Sequence, residues 1–131
     1  MIARLALVLA LPTAALAQTV ADVQFAPGNF GTMVSGTIVG DEYIDYRLGA
    51  KGGQEMFSEL SVTDSNGSGT VYYNILPPGS DNVAIYNSSV DGNATTVQLP
   101  EDGTYVIRVY QLGADADEGK TSGFNIDLSI Q

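Results

Sequence analysis

Few side chains in this sequence of 131 residues could carry out acid–base or nucleophilic chemistry. Histidine and cysteine are both missing from the sequence, which excludes Ser-His-Asp and Cys-His arrangements and metal sites with imidazole or thiolate ligands. A glycosidase would need two carboxyl groups about 5–10 Å apart across a sugar cleft. Four glutamates are available, but none lies in a recognisable motif: Glu42, Glu55, Glu59 and Glu101. We therefore expect a protein that is not an enzyme.

Two acidic clusters contain the oxygen ligands that Ca²⁺ prefers. They are Asp41, Glu42 and Asp45, and Asp115, Asp117 and Glu118. The second cluster lacks the third aspartate and the distant glutamate of an EF-hand loop. Because a run of charges usually faces water, we expect a solvent-exposed hairpin there, between the last two strands. No metal or other cofactor is predicted, and calcium binding stays an alternative.

The first 17 residues have the organisation of a secretory signal peptide. Arg4 supplies the positive charge, residues 5–11 form a short apolar core that ends at Pro12, and residues 15–17 (Ala-Leu-Ala) form a cleavage site before Gln18. The apolar run is shorter than the ~20 residues that span a bilayer. We therefore expect a periplasmic or secreted protein that has no membrane association after cleavage.

The predicted mature domain, residues 18–131, is strongly acidic. It has four basic and fifteen acidic residues, a net charge of −11. Such a surface repels nucleic-acid phosphates and anionic lipids, so neither is expected as a partner. It would accelerate association with a basic protein, although net charge is first a determinant of solubility. The length suits one domain.

Short strands separated by turn residues account for the mature domain. In residues 105–110, Tyr105, Ile107 and Val109 fall on one face of a strand that follows a turn at residues 100–103. Residues 124–130 alternate apolar and polar side chains in the same way. Further strands are predicted over residues 20–25, 33–39, 43–48, 56–62 and 71–75, and the segment 83–86 is ambiguous. We predict an all-β fold, a single-domain antiparallel β-sandwich of jelly-roll type.

Several of these segments resemble a known group of β-sandwiches. VSGTIVG (34–40), YIDYRL (43–48) and AKGGQ (50–54) resemble the front half of a pre-peptidase C-terminal type domain. GTYVIRVY (103–110) resembles the signature back strand of that domain. The resemblance therefore implies the same β-sandwich that the alternation predicts.

Within that group, the chain is similar to the bacterial periplasmic inhibitors of g-type lysozyme. The segments VQF (23–25), RV (108–109) and FNIDLSI (124–130) occur in the order of that family, and the similarity covers nearly the whole mature domain. The resemblance implies an inhibitor that blocks the active-site cleft of a basic lysozyme, of the g type, by inserting a loop. The alternative is a non-catalytic binding module of the same fold for carbohydrate, calcium or another envelope protein.

In that family, a Ser-Gly-x-Tyr loop is associated with entry into the lysozyme cleft. The matching residues here are Asp102, Gly103, Thr104 and Tyr105. Asp102 replaces the serine, and a carboxylate can only accept hydrogen bonds, whereas a hydroxyl can donate one to a catalytic carboxylate. We therefore expect Asp102 to face a basic residue of the target.

Two further expectations concern the surroundings of this loop. The ring of Tyr105 shares a face with Ile107 and Val109, so it is expected to pack in the core while its hydroxyl reaches the loop. The acidic residues that follow Leu112 are expected to form a secondary contact with a cationic rim of the target. They are Asp115, Asp117 and Glu118.

Overall fold

A computed structural model describes residues 18–131, so the predicted signal peptide lies outside the described residues. This part of the chain forms nine strands and two one-turn helices, and none of its helices is long and apolar enough to cross a membrane. The strands are β1 (Gln18–Asp22), β2 (Gly31–Val39), β3 (Tyr43–Ala50), β4 (Glu55–Ser65), β5 (Val71–Leu76), β6 (Tyr86–Asn87), β7 (Ala94–Gln98), β8 (Gly103–Gln111) and β9 (Thr121–Ile130). The helices are α1 (Ser88–Asp91) and α2 (Ala114–Asp117).

The strands form two sheets, in the order β1-β3-β8-β5-β6 and in the order β2-β9-β4-β7. The predicted β-sandwich is confirmed. One pairing differs from the prediction, because β1 and β3 are parallel, whereas the other described pairs are antiparallel. The chain reverses direction twice between them, once into β2 in the other sheet and once back, so β1 and β3 run the same way.

The core lies between the sheets and follows from the alternation along the central strands. In β8, the side chains of Tyr105, Ile107 and Val109 are fully buried, as their spacing predicts. From the opposite sheet, β9 contributes Phe124 and Ile126, which are equally buried. Further buried apolar residues complete the layer: Ile38, Tyr46, Leu48, Met56, Leu60, Val71, Tyr73, Ile75, Leu99 and Leu128.

Two details of the strand prediction are wrong. The first strand ends at Asp22 and not at residue 25; the N–H of the buried Val23 still donates to the carbonyl of Arg47 at 2.8 Å, but the pairing with β3 extends no further than Asp22. Strict alternation along the strand predicted over residues 56–62 would place Val62 on the inward face with Met56 and Leu60, but Val62 is 38% exposed. The register of β4 against β9 shifts just after Val62, which interrupts the alternation there.

The length of β8 separates two groups of loops. Nine residues of extended strand span roughly 27 Å, at about 3.4 Å per residue. The turns at residues 51–54 and 99–102 lie at the end where β8 begins, and the loop 112–120 lies where it ends. We call residues 101–104 the tip and residues 112–120 the acidic loop.

The core predicts the effect of a truncation in β8. Ile107→Ala leaves a cavity between the sheets, so we expect the free energy of unfolding to fall by about 2–5 kcal/mol. Chemical denaturation measures this loss. Val106→Ala, at a half-buried position on the other face of the strand, is the control and should cost less. Equal losses would contradict the assignment of the two faces.

Candidate functional site

The tip combines an exposed surface with a buried anchor. Its four residues, Glu101, Asp102, Gly103 and Thr104, are all exposed, and the next residue, Tyr105, is fully buried. The chain passes from solvent to core within one residue, because Gly103 and Thr104 form the exposed end of β8 and Tyr105 is the first residue of that strand to be buried. A partner can therefore reach the tip without any rearrangement of the domain.

The hydroxyl of Tyr105 connects the core to the tip. It donates to the carbonyl of Glu101 at 2.6 Å and accepts from the N–H of the same residue at 3.0 Å. The ring fills the core as the alternation predicts, and its polar end satisfies two backbone groups of the turn. These two hydrogen bonds fix the position of the turn relative to the core of the sandwich.

Asp102 is held by the neighbouring turn, residues 51–54. One carboxylate oxygen, Oδ1, accepts from the N–H of Gly52 at 2.8 Å. A side chain at Gly52 would come within 3.1–3.3 Å of the backbone of Glu101, so the two turns pack closely. The carboxylate is thus oriented by the protein while Asp102 remains exposed.

Gly103 is fixed by a third element, the loop that follows β5. Its φ of +142° is a conformation that side chains rarely allow, and a Cβ here would lie 2.8 Å from the Cγ of Pro78. Glycine is therefore required at this position for two independent reasons. Gly52 and Pro78 escape sequence reasoning because their contacts join segments far apart in the chain.

A shallow hollow adjoins the tip. It has a volume of about 340 Å³, and its lining includes Asp22, Arg47, Leu48 and Thr104. Arg47 donates to Asp22 at 2.7 Å in an exposed ion pair, and this contact lowers the pKa of Asp22 and raises the pKa of Arg47. Both charges lie beside the tip, so the rim of the hollow offers groups of either sign.

The acidic loop differs from the expectation in two ways. It is not a hairpin, because β8 and β9 belong to different sheets and the loop crosses from one sheet to the other. The second difference concerns one residue. Asp115 is 2% exposed, so the expectation of a solvent-facing carboxylate is wrong there. Its carboxylate accepts from the N–H of Ser68 at 2.9 Å, and from the N–H and hydroxyl of Thr70 at 2.9 and 2.8 Å. These bonds tie the β4–β5 loop to α2 and lower the pKa of Asp115. Asp117 and Glu118 are exposed, as predicted.

The structure does not bring the acidic loop and the tip together. They lie at opposite ends of β8, roughly 27 Å apart along the strand. Asp117 and Glu118 therefore cannot share one narrow cleft with Asp102. The second contact that the sequence suggested would require a different part of the partner.

Asp45 and Glu42 of the other acidic cluster make intramolecular contacts. Both carboxylate oxygens of Asp45 accept from Arg108, at 2.7 and 2.9 Å, and the guanidinium lies 4.5 Å from the ring centre of Tyr43. The bond to Asp45 raises the pKa of Arg108. Glu42 accepts from the N–H of Val39 at 3.0 Å. Within residues 18–131, no group of three or more acidic residues is placed to hold a metal ion.

The anchor at the base of the tip can be tested by removing one atom. Tyr105→Phe keeps the buried ring but leaves the N–H and carbonyl of Glu101 without their partner. We expect a loss of about 1–3 kcal/mol in the free energy of unfolding and faster hydrogen exchange at the amide of Glu101. Tyr72→Phe, at a half-buried tyrosine on β5, is the matched control and should leave that amide unchanged. Unchanged exchange in Tyr105→Phe would show that the hydroxyl does not hold the turn.

The buried carboxylate of Asp115 predicts a pH dependence. Its pKa in the folded state lies below the usual 3.8, so its stabilising contribution is complete above that pH and is lost as the pH falls through the folded-state pKa. Asp115→Asn should lower the melting temperature at neutral pH, because its amide places a donor against the donors of Ser68 and Thr70. The difference from the wild type should narrow in acid. Asp117→Asn is the control, and a constant difference at all pH values would contradict the assignment.

Comparison with known proteins places the chain in a family. No family model matches the sequence. An inhibitor of g-type lysozyme from Escherichia coli K12 is 32% identical over 113 residues, which covers 84% of this chain and 80% of that protein. The crystal structure of a periplasmic inhibitor of g-type lysozyme from Aeromonas hydrophila has 33% identity and a TM-score of 0.77, over 86% of this chain and 96% of that one.

A more distant likeness extends to the fold alone. The pre-peptidase C-terminal domain of a collagenase from Bacillus anthracis is 14% identical, with a TM-score of 0.56 over 88% of this chain and 97% of that domain. The identity and coverage of the first two proteins go further than a shared fold. The chain belongs to the family of periplasmic inhibitors of g-type lysozyme.

Proposed function

We propose that this protein is a periplasmic inhibitor of g-type lysozyme and that it acts by occluding the active-site cleft with the tip, residues 101–104. The relatives from E. coli and A. hydrophila are inhibitors of g-type lysozyme, and the Aeromonas protein is periplasmic. The observation that carries the mechanism is the tip itself, which is exposed and yet fixed by Tyr105, Gly52 and Pro78. The protein binds and does not catalyse.

Rigidity is the physical reason why this tip suits inhibition. A loop that must be ordered on binding loses conformational entropy, at a cost of about 0.5–1.5 kcal/mol for each immobilised side chain. The bonds from Tyr105 to Glu101 and from Gly52 to Asp102 already order the tip in the folded, unbound protein, so less conformational entropy is lost on binding. The binding free energy is then available for contacts with the enzyme.

Asp102 sets the chemistry that the target must offer. Its carboxylate can only accept hydrogen bonds, and close approach to another carboxylate is unfavourable. The part of the cleft that receives the tip therefore presents an arginine, a lysine or another donor to Asp102. A cleft that presents only carboxylates at that point would bind this protein poorly.

The net charge of residues 18–131, −11, supports association with a basic enzyme. Asp117 and Glu118 contribute to the long-range field from the opposite end of the sandwich, and they lie too far from the tip to enter the same cleft. A direct contact through them requires that a second region of the enzyme reach that end.

The primary experiment measures lysis of a cell-wall suspension by g-type, c-type and i-type lysozymes in the presence of residues 18–131. We expect the protein to slow the g-type enzyme in a saturable manner, with little effect on the other two. Bovine serum albumin at the same concentration controls for nonspecific effects. Undiminished lysis by the g-type enzyme at a micromolar excess of the protein would refute the proposed function.

A charge reversal at the tip tests the mode of binding. Asp102→Arg should weaken inhibition at least tenfold, roughly 1.4 kcal/mol, because it places like charges at the contact. Asp117→Arg makes the same change in net charge at the opposite end of the sandwich and is the matched control. It should reduce only the association rate, and high salt should cancel that reduction. Equal effects of the two variants would show that the tip does not dock.

A further inference from the structure

The edge strand β2 has an open side. It is the outermost strand of the four-stranded sheet and, among the described strands, pairs only with β9. The N–H of Ile130 donates to the carbonyl of Phe30, and the N–H of Gly40 donates to the carbonyl of Lys120, so even-numbered residues face β9. Because backbone groups alternate along a strand, Gly31, Met33 and the following odd-numbered residues direct their N–H and carbonyl groups outward.

This edge carries few of the features that usually prevent strands from pairing. The sequence of β2, GTMVSGTIV, contains no charged residue and no proline, although the mature domain as a whole has a net charge of −11. Exposed apolar side chains mark both of its ends and its outer face: Phe30 is 67% exposed, Met33 56% and Val39 42%. An uncharged edge of nine residues is a template for another strand.

At the C-terminal end of β2, the outward backbone groups already have partners within the same chain. Glu42 accepts from the N–H of Val39 at 3.0 Å through its carboxylate, and its own N–H donates to the carbonyl of Val39 at 3.1 Å. The open stretch therefore ends at Thr37. It comprises the outward groups of four residues: Gly31, Met33, Ser35 and Thr37.

We propose that β2 pairs with β2 of a second copy of this chain, antiparallel about a two-fold axis at Val34. This register uses the whole open stretch, because Gly31 lies opposite Thr37 of the second copy and Met33 lies opposite Ser35 of the second copy. The four pairs supply roughly eight backbone hydrogen bonds and join the two sheets into one of eight strands. The half-buried side chain of Val34 meets its own counterpart on the axis.

A second copy suits this edge for reasons of charge and shape. The antiparallel arrangement sets the uncharged end at Phe30 beside the uncharged end at Val39, so no like charges face each other along the paired strands. The acidic residues Asp41 and Glu42 of one copy lie beside the uncharged segment 26–31 of the other. Because the two domains repel each other through their net charge, salt strengthens this dimer.

The dimer leaves both tips exposed. The edge strand β2 begins at the end of the sandwich where the tip lies, and antiparallel pairing places the two tips at opposite ends of the assembly. Dimerisation is therefore independent of inhibition, and a test of one does not decide the other.

Sedimentation equilibrium of residues 18–131, from micromolar to millimolar protein and at low and high salt, measures the association. We expect the mass to approach twice that of the monomer, at lower protein concentration when salt is high. Ser35→Pro removes an outward N–H and should give a monomer at all concentrations. Ser35→Ala loses only the hydroxyl bond to Asn125 and should still dimerise. A monomeric wild type at millimolar concentration and high salt would overturn the proposal.

Cross-linking tests the register and does not depend on the proline variant. The protein has no cysteine, so Val34→Cys carries one thiol for each chain. Facing residues of a non-hydrogen-bonded pair have Cα atoms about 4.5 Å apart, which permits a disulfide. Under mild oxidation, Val34→Cys should form covalent dimers at least tenfold faster than Thr96→Cys on the opposite edge strand, β7, since pairing raises the effective thiol concentration. Equal rates would overturn the proposed pairing.

Discussion

The bond between the buried hydroxyl of Tyr105 and the backbone of Glu101 is the contact on which the position of the tip depends. A tyrosine in the core must satisfy its hydroxyl, and a tight turn must satisfy its backbone groups. Here, the hydroxyl of Tyr105 and the backbone groups of Glu101 satisfy each other's hydrogen bonds. These hydrogen bonds thereby connect the core of the sandwich to an exposed turn.

Contacts from other segments of the chain also hold the tip in place. Asp102 is oriented by Gly52 from one side, and Gly103 packs against Pro78 from the other. Neither neighbour bears a charge, and neither has a side chain that can donate a hydrogen bond. They contribute a backbone donor and a rigid ring, and the tip presents the carboxylate of Asp102 and an exposed backbone to solvent.

Burial divides the carboxylates of the acidic loop into groups with different roles. Asp115 is buried, and its carboxylate binds the backbone of the β4–β5 loop, so it is not available to a partner. Asp117 and Glu118 remain exposed and add to a negative field that acts at long range. A charge run that looks uniform in the sequence thus contains one structural residue and two surface residues.

The sequence alone determined the elements that depend on local pattern. The two-residue alternation of β8 and β9 set which side chains face the core, Tyr105 included, because neighbouring side chains of a strand must point to opposite faces. Only the tertiary structure decided the parallel pairing of β1, the burial of Asp115 and the bracing of the tip by Gly52 and Pro78. These features arise from contacts between segments distant in the chain, and no local pattern encodes which loops will meet.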